Sequence, residues 1–360
     1  MSLVNTRIQN IRANSRLDRF ELRPSRYGAL NLFMDQTKDP NGIITPELTA
    51  KAKASIGNTL ETPVIKYDAD ISVGDTRSAV ITDSENTSEM VQFSFTTYSW
   101  GFTVTPAMYM NNEIGIQRDF ETKMMKYIYK FASVLDQAAI AALAAAKTQV
   151  IANPLYYSFA NNVLTSGWLQ RENLLGDLNV IMEANDFFGQ LEIVGDAGIQ
   201  SMVKKLAQKD VYNIENKRNE YADKIFHFTN NIQAEDGKFA QGYAVQQGSV
   251  GMLTRFERDS LLGTRSGDGH EWGIATLPVL GMQVGTYFYD SVGDYHGIAG
   301  AATADMTRTR KEHYGFAVDV CLVTPYNSTP ETIASPIIAF DVDYNSSTDK
   351  LGIVVNNVGE

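Results

Sequence analysis

The stretch DFETKMMKYIYKFASVLDQAAIAALAAAKTQVIANP, residues 119 to 154, decides the fold. Phe120, Met124, Ile128, Phe131, Leu135, Ala138, Ala142 and Ala145 recur at three and four residues, the spacing of one apolar helical stripe. Asp119 and Lys123 stand in the favourable acid-to-base order at i, i+4, and Lys126 and Lys130 lie off the stripe. Asn111 or Asn112 is the cap, and Pro154 forbids continuation, which predicts a helix over 112–149. At 1.5 Å per residue it spans more than 50 Å, longer than a compact domain needs. No partner helix of similar length exists to make a bundle, and the alanine-rich end suits close packing on a sheet.

Around this helix the chain reads differently. Residues 35–58 are rich in turn formers and read as a linker. From Thr62 to Pro106 apolar and polar residues alternate: Val91, Phe93 and Phe95 take one face, and the strand is expected to run on to Val104. With the turn TDSENTSE this predicts an extended hairpin, marginal in water unless it lies on something. After the long helix the pattern alternates: helix at 168–185, strand at 191–196, helix at 197–208, strand at 224–232. A polar excursion fills 209–223, strand and short helix fill 242–256, and a long loop covers 256–273. Strands are predicted at 274–291, 313–327 and 335–344, so an α/β portion is enclosed by strands from both halves, an α+β fold.

Composition narrows the function. Of the 360 residues, 44% are hydrophobic and 20% charged, an ordinary globular balance. No run of about 18 apolar residues predicts a membrane span, and the first twenty residues lack the apolar core of a secretion signal, which predicts a cytoplasmic setting. The single cysteine, Cys321, sits in a strand-like run and reads as a buried thiol. A net charge of −11 argues against affinity built on neutralising phosphates. The exception is local: Arg7, Arg12, Arg16, Arg19, Arg23 and Arg26 recur at near-helical spacing, either as a solvated face or as an arm that docks on an acidic partner, another copy included.

No catalytic pattern stands out. His227, His270, His296 and His313 show no metal-ligand spacing. Asp268, His270 and Glu271 are residue types that bind cations, but their turn-rich surroundings favour a plain loop. The run from Asp341 begins like an EF-hand, yet Ser346 replaces the required glycine and Gly352 the glutamate. Phosphate-binding fingerprints, a G-x-S-x-G elbow and H-E-x-x-H are absent. A hydrolase or metal-dependent enzyme is the least supported class, and neither cofactor, metal nor catalytic residue is assigned.

The order of parts, an N-terminal arm, an extended hairpin, one long helix, an α/β portion with polar loops and closing strands, resembles the major capsid protein family of tailed phages, whose fold is shared with encapsulins. The resemblance covers nearly the whole chain and rests on the order and size of elements. It implies an arm at 1–57, the hairpin called the E-loop at 58–106, and a peripheral domain at 107–167 carrying a spine helix at 112–149. It further implies an axial domain at 168–300 and C-terminal strands at 301–360 that complete the peripheral domain. On that likeness the chain self-assembles into pentamers and hexamers of an icosahedral head enclosing double-stranded DNA, in a virion assembled in the host cytoplasm. The implied partners are other copies, portal and scaffolding proteins and a decoration protein, with weak nonspecific contact to packaged DNA and no membrane. Expected contacts are the six arginines from Arg7 to Arg26, the hairpin tip Thr82, Asp83, Ser84, Glu85 and Asn86, and the axial loops at Asn213, Glu215 and Arg218 and at Arg265, Asp268 and His270. The chain departs from members with a scaffolding region of about a hundred residues ahead of the arm, which points to a separate scaffold or none. Lys66 lacks the motif of an E-loop cross-link, so that chemistry is not carried over. An encapsulin-type compartment shell is the alternative; a tail-tube protein would not explain the helix.

Overall fold

The computed structural model describes residues 3–13, 26–54, 57–66, 87–109, 112–210, 224–256, 270–295 and 307–344. Its centre is α4 (Glu113–Ala146), whose first turn is capped by Asn112: the side-chain oxygen accepts from Ile114 N at 3.0 Å. The helix runs 34 residues, about 50 Å. It stops three residues before the predicted end because Lys147 turns extended, after which Thr148 N donates to Ile337 O (2.8 Å) and Ser335 Oγ to Ala146 O (2.8 Å). The next strand system takes up the chain before Pro154 can act. The apolar stripe follows the prediction as far as Leu135 and then passes to Ala139 and Leu143, leaving Ala145 exposed.

By length and mean hydropathy α4 is also apolar enough to cross a bilayer, which the sequence reading did not anticipate. In this chain it is a core helix whose buried face includes the polar Glu121 and Asp136. On one side it meets a five-stranded sheet of β3 (Thr96–Val104), β9 (Gly251–Arg255), β10 (His270–Thr276), β11 (Gln283–Tyr295) and β12 (Thr307–Val323). The order is β10-β11-β12-β3, with β9 also pairing β12, all antiparallel. Aromatic side chains lock helix and sheet together: Trp100 lies 4.5 Å from Phe131 and Tyr314 4.9 Å from Phe120, ring centre to ring centre.

A second, six-stranded sheet runs β4 (Ser158–Ala160), β5 (Val163–Ser166), β13 (Ile337–Asp343), β8 (Lys238–Gln246), β6 (Leu191–Gly195), β7 (Lys224–Phe228). Val194, Val245 and Ile337 on one face join the core of α4, while Ile193, Ala244 and Phe340 on the other meet α5 (Arg171–Glu183) and α6 (Ala197–Asp210). A sheet covered on both faces explains why β6 and nearly all of β13 are buried, the charged Glu192 and Asp341 included.

Several predicted boundaries move. The supposed arm contains α2 (Gly28–Gln36), buried at Leu30, Leu32 and Phe33 and packed on α4, β6, β7 and β9. Its entry is so close to β7 that a Cβ on Gly28 would stand 2.7 Å from the Phe228 backbone. The supposed linker contains α3 (Pro46–Ala54), held by Leu48 and Ala52. Within 242–256 the predicted short helix is instead β9, because consecutive residues from Gly251 to Arg255 pair with β12. The five-stranded sheet brings β9, β10 and β11 to the long helix, and β13 lies within the six-stranded sheet between β5 and β8. The α+β class stands.

Candidate functional site

The strand expected to run unbroken to Val104 bends at Phe95, whose N–H donates to Asn58 O at 2.7 Å. Residues before the bend form β2 (Thr87–Ser94), paired only with β1 (Thr59–Lys66) from Thr59↔Ser94 to Lys66↔Thr87. The two strands are a ribbon held at its base. There Leu60, Val91 and Phe95 are buried, and Leu60 and Phe95 join a small core with Ile44, Leu48, Leu253 and Cys321. Burial pushes the Cys321 thiol up to about 11, as expected of an inert buried cysteine. Arg255 lies over the Phe95 ring at 4.3 Å and donates to Asp319 at 2.8 Å, tying the ribbon's root to β12. Farther out Glu61, Pro63 and Met90 are exposed, Met90 by 55%. Pro63 leaves one donor missing on β1, which blunts that edge against indiscriminate pairing. The tip residues Thr82 to Asn86 lie outside the described residues.

Of the six arginines, Arg16, Arg19 and Arg23 lie outside the described residues, as does the Arg12 side chain; Arg26 is exposed. Arg7 is turned into its own chain from α1 (Leu3–Ala13). Its Nη2 meets Glu312 Oε2 at 3.1 Å and Glu113 Oε1 at 3.6 Å, and its guanidinium lies over the Phe120 and Tyr314 rings. Tyr314 Oη donates to the same Glu312 oxygen (2.7 Å); burial foremost raises that phenol's pKa, Arg7 opposing and Glu312 adding to the rise.

Asn213, Glu215, Arg218, Arg265 and Asp268 lie outside the described residues. His270 opens β10 rather than belonging to a loop; its Nδ1 is 2.7 Å from Tyr287 Oη. Glu271 turns the other way and accepts from Leu3 N (3.2 Å), so strand alternation separates these two candidate cation ligands. Among the described residues no three of His, Cys, Asp and Glu converge. His270, Tyr289, His313 and Thr103 form one row across the four strands. His313 stacks on Tyr289 at 4.4 Å and bonds Thr103 Oγ1 (3.0 Å) and Ser291 Oγ (2.8 Å); burial and then Lys311 lower its pKa.

One residue that the sequence reading passed over ties the body together. Asp136, wholly buried on α4, accepts from Leu30 N (3.0 Å), Thr229 Oγ1 (2.5 Å) and Asn231 Nδ2 (2.7 Å). It joins α4 to the start of α2 and the end of β7. The available signal was an aspartate one place after Leu135 of the apolar stripe, a position that demands buried partners.

No protein-family model matches the chain, and no curated protein matches it. Among solved structures it is similar to one from Mycobacterium phage Adephagia, at 12% identity and TM-score 0.47 over 92% of this chain and 96% of that one. It is similar to the capsid of Ralstonia phage GP4 at 10% identity and TM-score 0.46, covering 92% and 93%. The capsid structure of Cyanophage P-SCSP1u follows at 12% identity and TM-score 0.42, covering 81% and 85%.

Proposed function

We propose that this chain is the structural subunit of a closed protein shell, the major capsid protein of a tailed-phage head, assembled from pentamers and hexamers around double-stranded DNA. The observation that carries the reading is the β1–β2 ribbon. A two-stranded hairpin is marginal alone in water, and this one is anchored at its root while Glu61, Pro63 and Met90 beyond it face solvent. Another copy laid under the ribbon supplies the missing surface, and a head-to-tail contact of that kind closes rings when the rotation closes. A 34-residue helix clamped between two sheets is a beam that keeps such contacts far apart. The exposed Arg26, with Arg12, Arg16, Arg19 and Arg23, supplies further contacts, and the loops near residues 213–218 and 265–268 border the symmetry axes. Portal, scaffolding and decoration proteins are the remaining proposed partners.

The test replaces residues 63–90 by a two-residue turn, which removes the exposed outer ribbon with Pro63 and Met90 and keeps its root. The expected variant is a monomer with unchanged melting that no longer forms rings or shells; normal shells from it overturn the reading. Nuclease-protected DNA inside wild-type shells supports the phage head, whereas a protein cargo supports the compartment alternative.

A further inference from the structure

The geometry points to a binding ledge for an uncharged glycan on the face of the five-stranded sheet turned away from α4. The inference goes beyond the shell reading and does not depend on it. Trp100 and Phe102 meet Phe131 and Phe120 of α4, and Phe316 stacks on Trp100, so strand alternation sends Gly101 and Gly315 to the opposite face. There the row Trp272, Tyr287, Gly315, Gly101 crosses β10, β11, β12 and β3. With Ser99 and Ala317 it lines a trough of about 530 Å³, inside the range of ~300–1,000 Å³ that small-molecule sites occupy.

The floor of the trough is open without a packing reason. A Cβ on Gly101 would stand 2.9 Å from Tyr314 O, so close packing requires that glycine. A Cβ on Gly315 would meet nothing nearer than 3.6 Å, an ordinary contact. Glycine inside the 17-residue β12 weakens the strand, and a glycine so placed marks where a ligand approaches the backbone. The wall is a run of half-buried rings: Trp272 and Tyr287 lie 5.1 Å apart, Tyr287 and Tyr289 5.4 Å, and Tyr289 and His313 4.4 Å, centre to centre. Tyr287 is tied to His270, and His313 to Thr103 and Ser291, so the rings are set before a ligand arrives.

Charge selects the occupant. The row through Gly315 and the rows on either side of it carry no Asp, Glu, Lys or Arg. Bases also stack on rings, but a nucleic-acid strand needs cations for its phosphates, and this face supplies none on a chain of net charge −11. A neutral sugar chain presents C–H faces to the rings and hydroxyls at its edges. Ser99 and Gln283, both exposed on this face, offer donors and acceptors to those hydroxyls.

The test titrates the purified full-length chain, by calorimetry, with cellohexaose, maltohexaose and mannohexaose, and separately with decaproline. One hexaose is expected to bind. Trp272→Ala should weaken that binding about tenfold, the loss of one stacked ring, whereas Trp272→Phe should keep most of it, which separates stacking from folding. Gly315→Leu fills the trough and should abolish binding; Gly315→Ala, whose Cβ fits, should melt like the wild type and weaken binding in part. No heat with any hexaose, equal affinity in the wild type and these variants, or decaproline bound in place of the sugars overturns the ledge. If Gly315→Leu stops shells from forming while the wild type binds no sugar, the trough is a surface between copies, which overturns this inference and leaves the shell reading standing.

Discussion

Asp136→Ala is the sharpest test of the body that carries these surfaces. The carboxylate is fully buried and accepts from three donors on two other segments: Leu30 N at the start of α2, and Thr229 Oγ1 and Asn231 Nδ2 after β7. Alanine leaves all three donors without their acceptor at a fully buried position. Each unsatisfied buried donor costs about 1–3 kcal/mol, and relaxation of the Asn231 side chain toward solvent recovers part, so the loss is about 3–5 kcal/mol. That is a large share of the roughly 5–15 kcal/mol that holds a domain folded. At about 2–4 °C per kcal/mol, the midpoint should fall by roughly 10 °C. The assay is thermal denaturation of the monomeric variant followed by circular dichroism, with amide exchange read on residues 28–36. Exchange there should rise before global unfolding, because α2 loses its tie to α4. Asp136→Asn keeps one acceptor and should lose about half as much. A midpoint within a degree or two of wild type, with α2 still protected, would refute the reasoning.

Arg255→Ala removes the cation over Phe95 and the bond to Asp319; it should cost about 1–2 kcal/mol, lower the melting midpoint by a few degrees and expose the ribbon root to protease. His313 has its pKa lowered below 6.5 in the folded chain, so the unfolded chain binds more protons between that lowered value and 6.5, and stability should fall as pH drops through this window. His313→Gln should flatten that part of the melting-versus-pH curve; identical curves would remove His313 from the account. Arg16→Glu with Arg19→Glu should leave the monomer's melting intact while impairing assembly, seen by light scattering, whereas Arg7→Glu should lower the melting itself by placing a third carboxylate beside Glu113 and Glu312.

The long helix was legible because periodicity and a cap agree, and both report on local geometry. Its end was not, because Lys147 turns extended to let Thr148 meet Ile337, nearly two hundred residues away. Likewise α2 and α3 hid among turn formers: nine-residue helices carry little periodic signal, and what stabilises α2 is its burial against α4 and both sheets. The hairpin was visible in alternation, yet its root was not, since the bend at Phe95 depends on Asn58 and Arg255. Arg7 was grouped with the arm's other arginines because spacing makes them alike. Only the fold distinguishes it, by bringing Glu312 from the far end of the chain. The cation reading of His270 and Glu271 foundered on strand alternation, which sends adjacent side chains to opposite faces.

The central claim is that this chain is built to lie on copies of itself. Light scattering with negative-stain microscopy on the purified full chain, alone and with its neighbouring genes expressed, tests that most directly. Rings of five or six, sheets or closed shells are the predicted result; a monodisperse monomer under both conditions would contradict it.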